Sequence, residues 1–584
     1  MPVGTTSQRW KEQPRRGSRD PRLVVVTVGA MVAFLCIVVK LFAVQVVQHD
    51  WYVGLASGQR ELFERLYPER GEIAVHDRQH LGGWFPIAMN EQTFTVYTIP
   101  AEIVDSEMTA RKLREALGVV DPTLEERLAK RNDPYEPVAR EVSASLRDAV
   151  LALDLPGVGS EPTLTRVYPD GAAAAHITGF VGEDEEGISG RYGIEGAFDD
   201  VLGGEMGFLA AERDPHGRLI VFGNREVSEA RDGSDIHLTI ERELQLEVCR
   251  QLEGAVAEYG AASGTVVIVH PMTGAIRALC SIPSFDPNAY GEAENIRVFS
   301  TPAVSAAYEP GSVFKPITMA AAIDAEVVNP ETTFVDTGEV VVNGEKITNT
   351  NGVVNGLSTM SDVLRYSINT GTVFAARLLG IDRFRRSVEQ FGFGARTDIE
   401  LSGEVPGDIA NLQRREEVYL ATGSYGQGIT ATPLQLVMAF AAIANGGTLM
   451  RPYIVEEIVD PNGTSRQFEP HSVHRAISQR TATLLQGMLV SVVREGHPKR
   501  AGVQGYLIGG KTGTAQIPYA DRPGYSNETI QSFVGIGPVD RPTFAMVVRF
   551  DRPQRNFADS TAAPLFGSIA KYLVQYDGIP PRSE

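Results

Sequence analysis

Cysteine is nearly absent from this chain: among its 584 residues the only cysteines are Cys36, Cys249 and Cys280. Three cysteines cannot build a disulfide framework, and without a CxxC pair or a Cys/His cluster nothing indicates a zinc-type site. Cys36 lies in an apolar run without a partner. Cys249 and Cys280 are expected as buried free thiols, with one isolated pair between them as the alternative. An excess of positive charge is lacking too. The formal charge is −19 and the pI about 5.1, a balance that argues against nucleic acid as the main partner and that solubility alone explains. There is no internal repeat and no low-complexity tract. His176, His270 and His497 stand as singles and are assigned to structure rather than to a triad. Long apolar runs are missing as well, with one exception.

That exception is Leu23 to Val47, 25 residues with a single charge, Lys40, near the far end, where a long side chain can snorkel. A secretory signal has an apolar core of only about 7–15 residues followed by a small-residue cleavage site; this run is longer and no such site follows. Before it stand Arg9, Lys11, Arg15, Arg16, Arg19 and Arg22 against Glu12 and Asp20. The basic flank predicts an uncleaved, single-pass anchor, with residues 1–22 in the cytoplasm and everything from His49 onward outside.

At this length more than one domain is expected. Residues 48–235 read as one region of mixed strand and helix with no catalytic constellation; the charges of Glu69 to Arg78 suit a solvated or ion-paired face. From about Ile236 the texture changes. Leu238 to Tyr259 reads as a strand running into an amphipathic helix, and Gly264 to Cys280 as a hairpin turning at Pro271 to Gly274. Gly505 to Thr514, Gln531 to Gly537 and Thr543 to Phe550 read as further strands, and Pro564 to Tyr576 as a closing helix. Thr432, Pro433 and Gln435 mark the start of a helix that ends before Asn445-Gly446. The predicted fold is α+β and multi-domain. Its C-terminal part, 236–584, is an antiparallel sheet of about five strands assembled from both ends of that part, with helices between.

Three short motifs carry chemistry: Ser312-Val313-Phe314-Lys315, then Ser367-Ile368-Asn369 55 residues after Ser312, then Lys511-Thr512-Gly513-Thr514 144 residues after Ser367. A serine hydroxyl is a poor nucleophile until a base takes its proton, and a lysine is that base only when neutral. A spacing of three puts Ser312 and Lys315 on one helical face within hydrogen-bond reach. Burial lowers an amine's pKa, and a second cation, Lys511, lowers it further. Pro316 removes a helical bond to the Ser312 carbonyl and crowds it, so a local distortion is expected beside the nucleophile. Ser367 suits a proton relay from Lys315 to a leaving amine. The Asn369 amide suits a substrate peptide carbonyl, or Lys315 itself. Lys511 offers charge to a carboxylate, and Thr512 and Thr514 offer hydroxyls. Gly510 and Gly513 let an extended ligand approach the strand closely. The N–H groups of Ser312 and Thr514 suit an oxyanion hole. Together this is equipment for breaking an amide bond through an acyl-enzyme, with no metal and no cofactor.

In these motifs the chain resembles the class B penicillin-binding proteins, membrane-anchored, monofunctional peptidoglycan D,D-transpeptidases. The resemblance extends to KLFAVQVV (40–47), ERGEIAVHDR (69–78), RVYPDGAAAAHITGFVGEDEEG (166–187), GIEGAFDDVLGGEMG (193–207), LTIERELQ (238–245) and YGQGITATPLQL (425–436). It implies a cytoplasmic tail (1–22), a transmembrane helix (23–47), a pedestal of the dimerisation type (48–235) and a transpeptidase domain (236–584) like that of the serine β-lactamases. It implies Ser312 as nucleophile, Lys315 as general base, and Ser367 and Asn369 as relay and substrate contact. Lys511, Thr512, Gly513 and Thr514 are then the carboxylate-binding strand. The implied partners are lipid-linked or nascent peptidoglycan, β-lactams as inhibitors, the cytoplasmic membrane, and a multi-span SEDS-family glycosyltransferase with other wall-synthesis proteins. QSFVGIGP (531–538) and the compact HITGFVGEDEEGISGRYGIEG stretch look more like the division-specific members than the elongation-specific ones, although division members often have Ser-Ser-Asn where this chain has Ser-Ile-Asn. A serine β-lactamase shares the three motifs but needs a deacylating water, and no ExxLN stands between Asn369 and Lys511. A non-catalytic β-lactam receptor is the other alternative; its kind signals through further spans or a larger cytoplasmic part than 22 residues.

Overall fold

The computed structural model describes residues 21–42, 45, 61–184, 187–212, 225–519 and 521–582. They fall in two compact units, 1–67 with 206–230, and 68–205 with 231–584. The smaller unit holds a helix, Pro21–Phe42, and a three-stranded sheet in which Gly207–Glu212 lies between Glu61–Leu66 and Arg225–Ser228. Every described side chain of the helix from Val28 to Phe42 is exposed, Met31, Phe34 and Leu35 among them. Among the described residues no helix is long and apolar enough to cross a membrane. Most of the expected tail, and positions 43–44 and 46–47 of the expected anchor, lie outside those residues.

In the larger unit the apolar C-terminal runs form one antiparallel sheet. Its strands lie in the order Ile276–Ile282, Ser263–Val269, Phe544–Asp551, Tyr525–Gly537, Gly509–Pro518. The run Thr265 to Val269 is continuously apolar after its threonine because both faces of the sheet are covered. Val266 and Ile268 pack with Leu244, Val248 and Leu252 of the helix Arg242–Tyr259 and with Phe566 and Ile569 of Ala562–Tyr576. Val267 and Val269, turned to the other side by the two-residue period, pack with Leu434, Val437 and Phe440. Each such side chain taken from water is worth roughly 1.5–3 kcal/mol. The helix Pro433–Ala444 is buried at every position. It starts where the sequence marks it: the Thr432 hydroxyl accepts from the Gln435 N–H and the Gln435 side chain accepts from the Thr432 N–H.

A second, seven-stranded sheet draws on distant parts of the chain. Ile73–His76 pairs antiparallel with Trp84–Thr98 and parallel with Asp235–Glu241. The latter pairs with Val455–Val459, which in turn pairs with Ser465–Gln467. The long strand Trp84–Thr98 also carries Glu136–Val142 and Val158–Val167. Arg70, Asp77 and Arg78 of the 69–78 segment are ion-paired. Arg70 meets Glu195 at 2.6 Å and Asp199 at 2.8 Å, and Asp77 meets Arg242 at 3.0 Å. His176 is buried with its Nε2 3.0 Å from the Val298 carbonyl, and burial lowers its pKa to about 4.

The expectation of free thiols at Cys249 and Cys280 is corrected: the two form a disulfide, with Cα atoms 5.5 Å apart. The alternation that buries Val266 and Ile268 also turns Ala278 and Cys280 towards the helix Arg242–Tyr259, where Cys249 lies on the inner face. Replacing both cysteines by alanine removes a cross-link spanning 31 residues. That is expected to cost about 3–4 kcal/mol of stability in denaturant titrations, with the sheet and the site otherwise retained.

Candidate active site

The serine motif begins in a tight turn. Gly311 takes φ +59°, and its N–H donates to the Gly426 carbonyl at 3.0 Å. A β-carbon on Gly426, itself at φ +80°, would lie 2.3 Å from the Gly311 carbonyl oxygen, so the two glycines let these segments touch. A single 3₁₀ turn, Gly311–Phe314, then leaves Ser312 half-buried while Val313 and Phe314 are fully buried. The α-helix proper runs Lys315–Asp324. The expected crowding by Pro316 does not arise, because this residue falls in the helix's first turn, where no N–H is needed. The Ser312 carbonyl accepts instead from the Lys315 N–H.

Lys315 is completely buried. Its Nζ donates to the Ser367 carbonyl at 2.5 Å and to the Ser367 hydroxyl at 3.1 Å. Among the described residues it makes no hydrogen bond to the Ser312 hydroxyl, the contact the three-residue spacing predicts; its amine is bonded to the two Ser367 oxygens instead. Burial, and after it the charge of Lys511, hold the Lys315 pKa well below that of an ordinary lysine.

Ser367 joins the helices Met360–Arg365 and Asn369–Leu379 at φ +57°, a left-handed conformation that costs a non-glycine residue about 1 kcal/mol or more. It is held there by backbone bonds from Ser367 to Leu364 and from Ile368 to Val363, and by burial of Ile368. That conformation turns both Ser367 oxygens to the Lys315 amine. The Asn369 amide donates to the Thr348 carbonyl at 2.8 Å and makes no bond to Lys315 among the described residues. The alternative of Asn369 as a Lys315 holder is thereby corrected: as the first residue of its helix it faces the 348 segment.

The third motif lies on Gly509–Pro518, the edge strand of the five-stranded sheet. Lys511 is buried, with its Nζ 3.1 Å from the Thr512 carbonyl; burial lowers its pKa to about 8, and the charge of Asp559 opposes that fall. Thr512 is half-buried. The Thr514 hydroxyl oxygen accepts from the Ala558 N–H at 3.3 Å, which leaves its own hydrogen free to donate. The strand abuts the Gly311–Phe314 turn. A β-carbon on Gly513 would lie 2.8 Å from the Pro310 carbonyl oxygen and 2.9 Å from Val313 Cγ1, and one on Gly311 would lie 3.3 Å from the Ala515 Cβ. Gly510 serves a different contact from the one its sequence position suggests. A β-carbon there would meet the Phe533 ring at 2.5 Å, inside the sheet.

The three motifs therefore meet: turn against strand through Gly513, and Lys315 against Ser367. Sequence reasoning passed over Glu309. Its carboxylate accepts from the Gly428 N–H at 2.9 Å and from the Tyr525 hydroxyl at 3.0 Å, and burial raises its pKa. It ties the glycine segment and the far end of the KTGT hairpin to the residue three places before Ser312. Its position directly before Pro310-Gly311 was the signal available.

Residues 264–571 match the family described as the penicillin-binding protein transpeptidase domain, and residues 65–238 match the penicillin-binding protein dimerisation domain. The chain is 33% identical to stage V sporulation protein D of Bacillus subtilis (strain 168) over 96% of its own length and 86% of that protein's. This chain belongs to the penicillin-binding proteins. It is 29% identical to the peptidoglycan D,D-transpeptidase FtsI of Escherichia coli (strain K12), over 85% of this chain and 82% of that one. The crystal structure of penicillin-binding protein 3 from Mycobacterium tuberculosis complexed with aztreonam superposes with a TM-score of 0.69 at 25% identity, covering 89% of this chain and 98% of that one. These relatives make it a class B penicillin-binding protein. In such a protein the contact of Gly513 with Pro310 and Val313 has a measurable consequence. Gly513→Ala is expected to lower the rate of covalent labelling by a fluorescent penicillin at least about tenfold, since a small misplacement of the attacking group is costly.

Proposed function

We propose that this protein is a membrane-anchored peptidoglycan D,D-transpeptidase that cross-links stem peptides during septal wall synthesis and is trapped by β-lactams. Family membership and the relatives named peptidoglycan D,D-transpeptidase support the reaction class. The observation that carries the roles of individual residues is the fully buried Lys315 amine held on Ser367. In this reading the Ser312 Oγ attacks the carbonyl between the last two D-alanines while its proton passes to the neutral Lys315. The N–H groups of Ser312 and Thr514 receive the oxyanion. The C–N bond breaks, Ser367 relays the proton to the departing D-alanine amine, and the peptide stays as an ester on Ser312. An amine from a neighbouring stem then displaces Ser312, and its proton returns the hydroxyl. Lys511, Thr512 and Thr514 bind the terminal carboxylate, Gly513 lets the peptide lie close to the strand, and Asn369 holds the peptide backbone.

The apolar run Leu23–Val47 with its basic flank supports a single-pass anchor in the cytoplasmic membrane, the N-terminus inside and the catalytic part outside. The exposed apolar side chains from Val28 to Phe42 suit that role, and the Cys249–Cys280 disulfide suits an oxidising compartment. The anchor and pedestal are the surfaces through which a SEDS-family glycosyltransferase would be met. QSFVGIGP, within and just after the strand Tyr525–Gly537, supports the septal role. Depletion in the host should give filaments; rounded cells would mean an elongation role instead.

Ser312→Ala is expected to abolish both covalent penicillin labelling and cross-linking; cross-linking retained by this variant refutes the assignment. The reaction needs Lys315 neutral and Lys511 charged. Acylation should therefore rise with pH through the depressed Lys315 pKa and fall again above about 8, where Lys511 loses its proton. Stopped-flow acylation across pH checks this; a profile with no alkaline fall speaks against Lys511 as the carboxylate clamp.

A further inference from the structure

Behind the Ser367-Ile368-Asn369 segment lies a buried carboxylate with no part in the reaction above. Asp336 ends the strand Thr333–Asp336, which pairs antiparallel with Gly356–Thr359. The two-residue period turns Phe334 and Asp336 inward and leaves Thr333 and Val335 exposed. An inward position on such a strand suits an apolar side chain, and Phe334 is one. Its ring lies 5.5 Å from that of Phe374, and a β-carbon on Gly371 would come within 2.7 Å of it. Asp336 is only 1% exposed, and among the described residues it has no ion pair.

Five neutral donors satisfy it instead. The Gly338 N–H lies at 2.9 Å, the Asn349 amide at 3.0 and 2.8 Å, the Asn355 N–H at 2.8 Å, the Asn355 amide at 2.7 Å and the Thr370 hydroxyl at 2.6 Å. A buried carboxylate without a cation is costly unless its lone pairs are filled. Burial raises its pKa, but the bonds from Thr370, Asn355 and Gly338 outweigh that and bring it down to about 2.

The donors converge on one place. Thr370 is the second residue of the helix Asn369–Leu379, and its N–H donates to the Asn349 side-chain oxygen at 3.2 Å. Next to Asn349 is Thr348, whose carbonyl receives the Asn369 amide at 2.8 Å. Three residues before Thr370 is Ser367, in its left-handed conformation and bonded to Lys315. We infer that Asp336 is a positioning residue of the transpeptidase site, fixing through Thr370 and Asn349 the first turn of the helix Asn369–Leu379 and so the placement of Asn369 and of Ser367 against Lys315. This rests on the function proposed above.

The test compares the full chain with Asp336→Asn, Thr370→Val, Thr370→Ser and, as a stability control in the same region, Val342→Ala. Acylation by a fluorescent penicillin and thermal unfolding are measured for each. Asp336→Asn and Thr370→Val should lower the second-order acylation rate constant about 10- to 100-fold, chiefly in the covalent step rather than in initial binding. The acid limb of the rate should move to lower pH, because a Lys315 ammonium that loses its Ser367 acceptors gives up its proton more readily. Thr370→Ser keeps the hydroxyl and should stay within about twofold of wild type. If Asp336→Asn does not fold, the near-isosteric Thr370→Val decides alone. Undiminished acylation of a folded Asp336→Asn or Thr370→Val with an unmoved pH profile overturns the inference. So does a Val342→Ala protein of equal stability loss that is slowed as much. An unlabelled wild-type protein instead sinks the function on which the inference rests.

Discussion

Two lysine amines are buried near enough for the charge of Lys511 to lower the pKa of Lys315, and no ion pair reaches either of them among the described residues. An ammonium taken out of water loses several kilocalories per mole of hydration, and a protein avoids most of that loss by letting the group shed its proton. The consequence is asymmetric. Lys315 has only the oxygens of Ser367 and the repulsion of Lys511, whereas Lys511 feels the opposing charge of Asp559. The same residue type is thereby given two different proton affinities by surroundings alone. Close by lie the two glycines that let the Gly311–Phe314 turn touch the 426 segment, the bare Gly513 against Pro310, and the strained Ser367 backbone.

The motifs were legible in the sequence because the chemistry expected of them restricts residue type sharply. A serine three places before a lysine, and a lysine-threonine-glycine edge, have few other uses in combination. Local signals also read well: the Thr432–Gln435 capping box, the hairpin at 264–280 and the closing helix appear where their patterns put them, with strand ends shifted by a few residues. What stayed hidden depends on distance in space. Whether Cys249 and Cys280 join depends on how a helix lies on a strand 31 residues away. The partner of Asn369 is a carbonyl in a segment with no motif of its own, and the positive φ of Ser367 belongs to a residue type that rarely takes it. Asp336 was invisible for a related reason: as one acidic residue among many, it shows its oddity only once it is found facing inward with no cation.

The two large sheets differ in how far they reach along the chain. In the antiparallel one, the strands of the first hairpin meet strands from the last 80 or so residues through Ser263–Val269 and Phe544–Asp551. In the seven-stranded one, the 69–78 segment is tied by ion pairs from Arg70 and Asp77 to Glu195, Asp199 and Arg242 on neighbouring helices, in keeping with the ion-paired face its charges suit in the sequence.

The interleaving of early and late strands bears on how the molecule is made. Asp235–Glu241 stays an open edge on its outer side until Val455–Val459 has emerged, and His76 waits for Glu456, its partner at 2.6 Å. A ribosome delivers the chain from one end, so the first half spends much of synthesis with an unpaired strand and its backbone donors uncapped. Such an intermediate is a natural client for chaperones, and both sheets are complete only once the late strands have arrived.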